Sequence, residues 1–280
     1  MGVQMYEEKF MLFPQGKRKA LTFSYDDGVE ADKRLLDVFK KYGLKGAFNL
    51  NSLLFDKREW HGRMDEQSVY ETFKSGCEIA MHGARHIFLD KVPFAEAVGE
   101  IAENRRYLEN KFKRTVRGFA YAYGAYNDGI VNFLKQYGVA YARTTESSQS
   151  FAVPDDWLRL KPTCHHNGIG EFAERFIKTS PAEQKKNREP YLFYIWGHSF
   201  EFDDNGNWEL IEKFAKEVAF KDDIWYATGI EIYDYVKAYE SLIFSADGER
   251  AFNPSYMPVF LEIRGKAYRI DGGKELVFDR

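Results

Sequence analysis

The stretch KALTFSYDDGVEADKRLLDVFKKYGLKGAFNLN, residues 19–51, decides the fold. It opens on an apolar run of strand type. VEADKRLLDVFKKYG then sets Leu35, Leu36 and Phe39 on one helix face and stops at Gly43, and KGAFNLN reads as a second strand. Two strands joined by a helix must cross over and run in the same direction. The alternation recurs with CEIAMH, the amphipathic FAEAVGEIAENRRYLENKF, VRGFAYAY, the helix DGIVNFLKQYG ending at Gly138, and VAYARTT. After a loop come WLRLKP, a helix around residues 170–178, YLFYIW, the helix NWELIEKFAKEVAF, and IWYATG. Seven or so strands alternating with helices in 280 residues predict the α/β class, with a closed or nearly closed β/α barrel favoured over an open doubly wound sheet. From about residue 246 the pattern changes. MPVFLEIRGKAYRIDGGKELVF, with its turn-like RGK and DGGK, predicts short antiparallel strands, so residues 1–245 are expected to form the barrel and 246–280 a small β appendage.

Composition narrows the function. Forty basic and 43 acidic residues leave a net charge of -3 with no long like-charge run, which argues against a nucleic-acid partner. No GxGxxG or Walker loop follows a strand, which weakens a nucleotide reading. No window approaches a membrane span, and MGVQMY lacks the export and myristoylation patterns, so no membrane partner and a cytoplasmic residence are expected. Cys77 and Cys164 are too few for a disulfide framework and read as small core residues. Aromatic residues, at 17%, suit a core and also stacking on sugar rings. Oligomeric state is not legible.

In a β/α barrel the C-terminal strand ends carry the active site. Here the apolar runs close on Asp26 and Asp27, on MHGARH, on AYAYGAYND, on Arg159 and Lys161, and on WGHSFEFD. His82 and His86, four apart, suit one divalent ion. A single carboxylate completes a two-His-one-carboxylate set that leaves positions open for water and substrate. An ion there polarises a carbonyl, as hydrolysis of an amide requires. Because the chain turns at a strand end, Asp27 is read as the metal ligand and Asp26 as the carboxylate facing water. Alone, an Asp pair is usually a turn or cap and HxxxH a coincidence. Three matching strand ends in one chain order make a site the better reading.

TFSYDDG, HGARH, YAYGAYN and WGHS, in this order, resemble the polysaccharide deacetylase family over roughly residues 18–230. The resemblance implies a distorted (β/α)7-8 barrel, to which the C-terminal β appendage is added. It also implies Asp26 as general base, Asp27, His82 and His86 as ligands, His198 as general acid, and the Tyr123 backbone N–H at the oxyanion. It implies metal-assisted hydrolysis of an N-acetyl group, with O-acetyl as the variant, on a saccharide or oligosaccharide partner, and a bell-shaped rate profile. One divalent metal is expected, zinc first, with cobalt, nickel and iron accepting the same ligands.

The chain departs from the family pattern in three places. Gly83 replaces the Ser or Thr that ties the first histidine loop, Ala120 replaces an arginine that restrains the catalytic aspartate, and the Asp-Trp pair supporting the acid is echoed only by Asp156 and Trp157. Arg159 is therefore expected to supply the missing guanidinium. His165 and His166 read equally as a substrate or ion site and as a polar loop. Glu201 and Asp203 read as caps more than as sugar contacts, and His61 as a surface residue. Rival functions are a barrel amidase for a small non-sugar amide or ureide, and a non-catalytic carbohydrate-binding relative.

Overall fold

In the computed structural model, residues 8–59, 61–179 and 189–279 are described; MGVQMY lies outside them. Strand β1 spans Lys9–Leu12 and β2 Lys19–Asp27. All nine residues of β2 are buried, as expected of a parallel strand covered on both faces. Helix α1, Ala31–Tyr42, buries Leu35, Leu36 and Phe39 and ends on Gly43, whose left-handed φ of 65° returns the chain to β3, Gly46–Leu50. Helix α2, Glu66–Phe73, has no counterpart in the sequence reading: it is short, and its start is marked only by Asp65 accepting from the Ser68 N–H. Then follow β4, Glu78–Met81, α3, Phe94–Phe112, β5, Gly118–Ala120, α4, Asp128–Gln136, and β6, Tyr141–Arg143. The barrel is completed by β7, Cys164–His165, α5, Ile169–Lys178, β8, Tyr191–Gly197, α6, Phe200–Asp204, α7, Glu209–Val218, β9, Ile224–Tyr226, and α8, Gly229–Glu240.

The sheet order is β6-β5-β4-β3-β2-β8-β7, with β9 also paired to β2, and every pairing is parallel. The sheet curls until β6 and β7 face each other without a ladder. The gap is crossed by Leu160, whose N–H bonds Ala142 O at 3.0 Å, and Thr163, whose N–H bonds Tyr194 O at 2.8 Å. This is the distorted β/α barrel that the sequence predicts. One strand assignment fails: WLRLKP is not a strand. Asp156 accepts from the Leu158 and Arg159 N–H groups and winds Trp157–Arg159 into a 3-10 turn, so the strand forms later, at Cys164–His165.

Aromatic rings fill the space between sheet and helices. Phe23 meets Phe39 at 4.6 Å and Phe48 meets Phe73 at 4.8 Å, all fully buried. Emptying such a position, as in Phe48→Ala, costs about 3–5 kcal/mol.

The antiparallel appendage is present as two small sheets. Strands β10, Ile243–Phe244, β11, Arg250–Phe252, and β14, Glu275–Val277, form one. Strands β12, Val259–Ile263, and β13, Lys266–Ile270, form the other, whose third member is β1 from the opposite end of the chain. Tyr235 of α8 ties β1 to β12, its hydroxyl donating to Leu12 O and accepting from the Phe260 N–H. No helix of the described residues is long and apolar enough to cross a membrane.

Candidate active site

Parallel strands bring their C-terminal ends to one rim, and there Asp26, Asp27, His82, His86, Tyr123 and His198 line a cavity of about 240 Å³. Side chains of adjacent strand residues ordinarily point to opposite faces. Asp27 escapes this rule with a φ of 91°, followed by Gly28 at 74°, so the chain turns and both carboxylates face the cavity. Backbone held in this region is costly for a non-glycine residue and is typical of functional sites.

Asp26 is 2% exposed. Arg143, closing β6, sets Nη2 on both of its carboxylate oxygens, and Asn49 Nδ2 donates to Oδ1 at 2.7 Å. Burial pushes this carboxyl up, but Arg143, and behind it His82 and His198, outweigh burial and hold it well below the usual carboxylate range. Asp27 is held in the same way by Arg63, whose Nη2 donates to Oδ1 at 2.8 Å; the net shift is downward despite burial.

His82 tests whether the residues fit a metal. Its Nδ1 lies 2.8 Å from Ala120 O, an acceptor, so Nδ1 carries the proton and Nε2 presents a lone pair. That Nε2 is buried without a hydrogen-bond partner, 3.8 Å from Asp27 Oδ1 and 3.7 Å from Asp26 Oδ2. A lone pair facing two carboxylates is repulsive unless a cation lies between them. His86 Nε2 is 3.7 Å from Asp27 Oδ1, and one ligand atom each of Asp27, His82 and His86 falls within 4.8 Å of the others. The donor set therefore fits a divalent ion, with the His82-to-carbonyl bond as orienting support.

Gly83 has a φ of 79°, and a Cβ there would approach Glu100 Oε1 to 3.2 Å, so the side chain common in the family is disfavoured. The loop is tied by other residues: Asn51 Nδ2 donates to His82 O at 2.6 Å and Gly83 O at 3.0 Å, and Glu100 accepts from the Arg85 N–H. Tyr123 has a φ of 58° in a 3-10 turn after β5, and its ring stacks on Phe88 at 3.9 Å. His61 is exposed but stacks on Phe200 at 3.9 Å, also at the rim.

His198 follows β8, with Nε2 3.9 Å from Asp26 Oδ2 and Nδ1 2.7 Å from Glu201 Oε1. Burial lowers its affinity for a proton, but Glu201 and the aspartates outweigh this, and its pKa is raised. Glu201 also has His165 Nε2 at 3.2 Å and His166 Nε2 at 3.1 Å from Oε2, so the double histidine belongs to this cluster rather than to a separate loop.

Arg159 is not at Asp26. It sits on the 3-10 turn, a third exposed, paired with Asp128 at 2.6 Å and Asp156 at 2.8 Å. Asp156 is engaged there and does not reach His198 in the way the Asp-Trp echo suggests. The guanidinium comes instead from Arg143, the last residue of the strand that VAYARTT predicts. Glu201 was readable as the residue one turn after His198. Asn49 and Asn51 close KGAFNLN in the same way, whereas Arg63 lies in a loop with no pattern to mark it.

Residues 14–142, which include Asp26, Asp27, His82, His86 and Tyr123, match the polysaccharide deacetylase family model. No curated protein sequence matches the chain. Among solved structures, a protein from Mycobacterium smegmatis described as a polysaccharide deacetylase is similar over 84% of this chain and 96% of its own, with 16% identity and a TM-score of 0.59. Puue allantoinase is similar over 79% and 91%, with 13% identity and a TM-score of 0.57. These likenesses speak to the barrel, and the family-model match covers residues 14–142 of the chain.

Proposed function

We propose that the protein is a metal-dependent hydrolase that removes N-acetyl groups from a saccharide or oligosaccharide. The match of residues 14–142 to the polysaccharide deacetylase family model supports the reaction class. The observation that carries the metal dependence is the buried, unpartnered Nε2 of His82 facing Asp27 and Asp26.

A divalent ion held by Asp27, His82 and His86, zinc first, would supply the Lewis acidity that amide hydrolysis needs. The chain's own residues do the rest. Asp26, kept ionised by Arg143, takes the proton of the attacking water. The Tyr123 backbone N–H donates to the carbonyl oxygen as it gains charge. His198, whose affinity for a proton is raised by its carboxylate neighbours, gives a proton through Nε2 to the departing nitrogen. Amine and acetate are the products. Asp26 and His198 thus hold opposite protonation states at one pH, as an acid-base pair must. The exposed Phe88 and Tyr123 rings beside the cavity suit a sugar face.

The test is acetate release by the zinc-loaded protein from N-acetylated and O-acetylated saccharides of increasing length, run beside cyclic ureides. Acetate from an N-acetyl sugar, lost on chelation and regained with zinc, is expected. Turnover of ureides alone would replace this reading with that of a small-amide hydrolase. Sugar binding without turnover would replace it with a binding protein.

A further inference from the structure

Glu201 lies at the centre of a cluster behind the proposed proton donor, accepting from His198 and facing His165 and His166. We infer that Glu201 is the positioning residue for His198, fixing which ring nitrogen faces the reacting centre, and that His165 and His166 hold the Glu201 carboxylate in place. This rests on the reading of His198 as proton donor.

An ionised carboxylate only accepts, so the Nδ1 that lies 2.7 Å from Glu201 Oε1 must carry a proton whether the ring is neutral or charged. The nitrogen that gains and loses a proton is then Nε2, the one turned toward Asp26. His165 is equally constrained. Its Nδ1 accepts from the Asn167 N–H at 3.3 Å, so its proton sits on Nε2, which points at Glu201 Oε2. That tautomer leaves His165 Nε2 no lone pair for a cation. His165, His198 and Glu201, although spaced like a ligand set, therefore form a hydrogen-bond cluster rather than a second metal centre.

His166 is fully buried, with its ring against Phe202 at 4.3 Å and Tyr25 at 5.7 Å. Its approach depends on Gly197, where a Cβ would come within 2.1 Å of His166 Nδ1. The next residue after His198 is also held: Ser199 Oγ donates to the buried Asp32 at 2.5 Å. Burial pushes the Glu201 carboxyl up, but its three imidazoles outweigh burial and keep it ionised far below neutral pH. Asp156, the alternative from the family pattern, is occupied by Arg159.

The experiment reads the His198 ring directly, by nitrogen-15 NMR of the full-length zinc-loaded protein, alongside acetate release. In the native protein the neutral ring is expected to carry its proton on Nδ1. Glu201→Gln presents an amide with one acceptor and one donor to the imidazoles. It is expected to shift the neutral ring toward the Nε2–H form and to lower kcat about a hundredfold with KM within about twofold, zinc content unchanged. Should Glu201→Gln not fold, Glu201→Asp, which withdraws the carboxylate by one methylene, is read by the same signal. A His198 ring that keeps its native tautomer in a folded variant overturns the inference, whatever the activity. A tautomer shift in Glu201→Gln while the native zinc-loaded protein releases no acetate supports the role of Glu201 and overturns the function proposed above.

Discussion

Arg143 grips Asp26 from across the barrel, one guanidinium nitrogen on both carboxylate oxygens, with neither side chain more than 2% exposed. The pair joins the end of β6 to the end of β2 and carries the restraint that the resemblance led one to seek in Arg159. Arg143→Lys, which keeps the charge but loses the planar fork, is expected to lower kcat by about tenfold to a hundredfold with zinc content unchanged. Arg143→Ala removes the cation from a buried carboxylate and is expected to cost about 3–5 kcal/mol of stability. Arg159→Ala, on the exposed turn, is expected to leave kcat within about twofold. Steady-state kinetics with metal analysis and denaturant melts distinguish the three.

Metal binding has a proton signature. Burial first, then His82, push His86 down to about 4, and burial lowers His82 as well, while Asp27 sits below its usual range. All three proposed ligands are therefore deprotonated at neutral pH. Zinc uptake at pH 7 is expected to release about zero protons, against the larger release of sites whose ligands must first be deprotonated. Calorimetry in buffers of different ionisation enthalpy measures this directly. Asp27→Ala is expected to abolish stoichiometric uptake.

The rate profile follows from the two shifts. As the proposed base Asp26 must be ionised, and its lowered pKa favours that form through mildly acid conditions. As the proposed acid His198 must be protonated, and its raised pKa moves the alkaline fall of kcat/KM above the value of about 6.5 for an ordinary histidine. A profile flat between about pH 5 and 6.5 and falling above is expected. An alkaline fall beginning below that window would count against His198 as the donor.

Stability carries a pH dependence of its own through Asp32. Burial raises its carboxyl to about 7, against hydrogen bonds from Ser199 and Val29 that favour the charge. Because the folded pKa exceeds the unfolded one, the folded state retains a proton that the unfolded chain has released, so this group's contribution falls as pH rises from about 4 to 7. Asp32→Asn cannot titrate. Its stability relative to the native protein is expected to improve between pH 5 and pH 7 by on the order of 2 kcal/mol, read from urea melts.

Much of this was legible in the sequence because parallel strands and crossover helices have strong periodic signatures. Residues 19–51 alone show the repeating unit, and the rule that chemistry collects at strand ends singles out Asp26, Asp27, His82, His86 and His198, which line one cavity. Two residues escaped for different reasons. Arg143 follows from the same rule and needed only its application to VAYARTT. Arg63 reaches Asp27 from a connection between β3 and α2, where no period links position to direction. The misplaced strand at WLRLKP shows how a single side chain overrides a short apolar run: Asp156 bonding the backbone ahead of it starts a turn before a ladder can form.

The exchange of β1 into the C-terminal sheet has a consequence for any shortened form of the protein. A polypeptide ending after residue 245 would leave the Lys9–Leu12 edge unzipped, Arg18 stripped of Glu262 in a dry setting, and the Tyr235 hydroxyl without the Phe260 amide. Such a fragment should be protease-sensitive at its first strand, far in sequence from the cut.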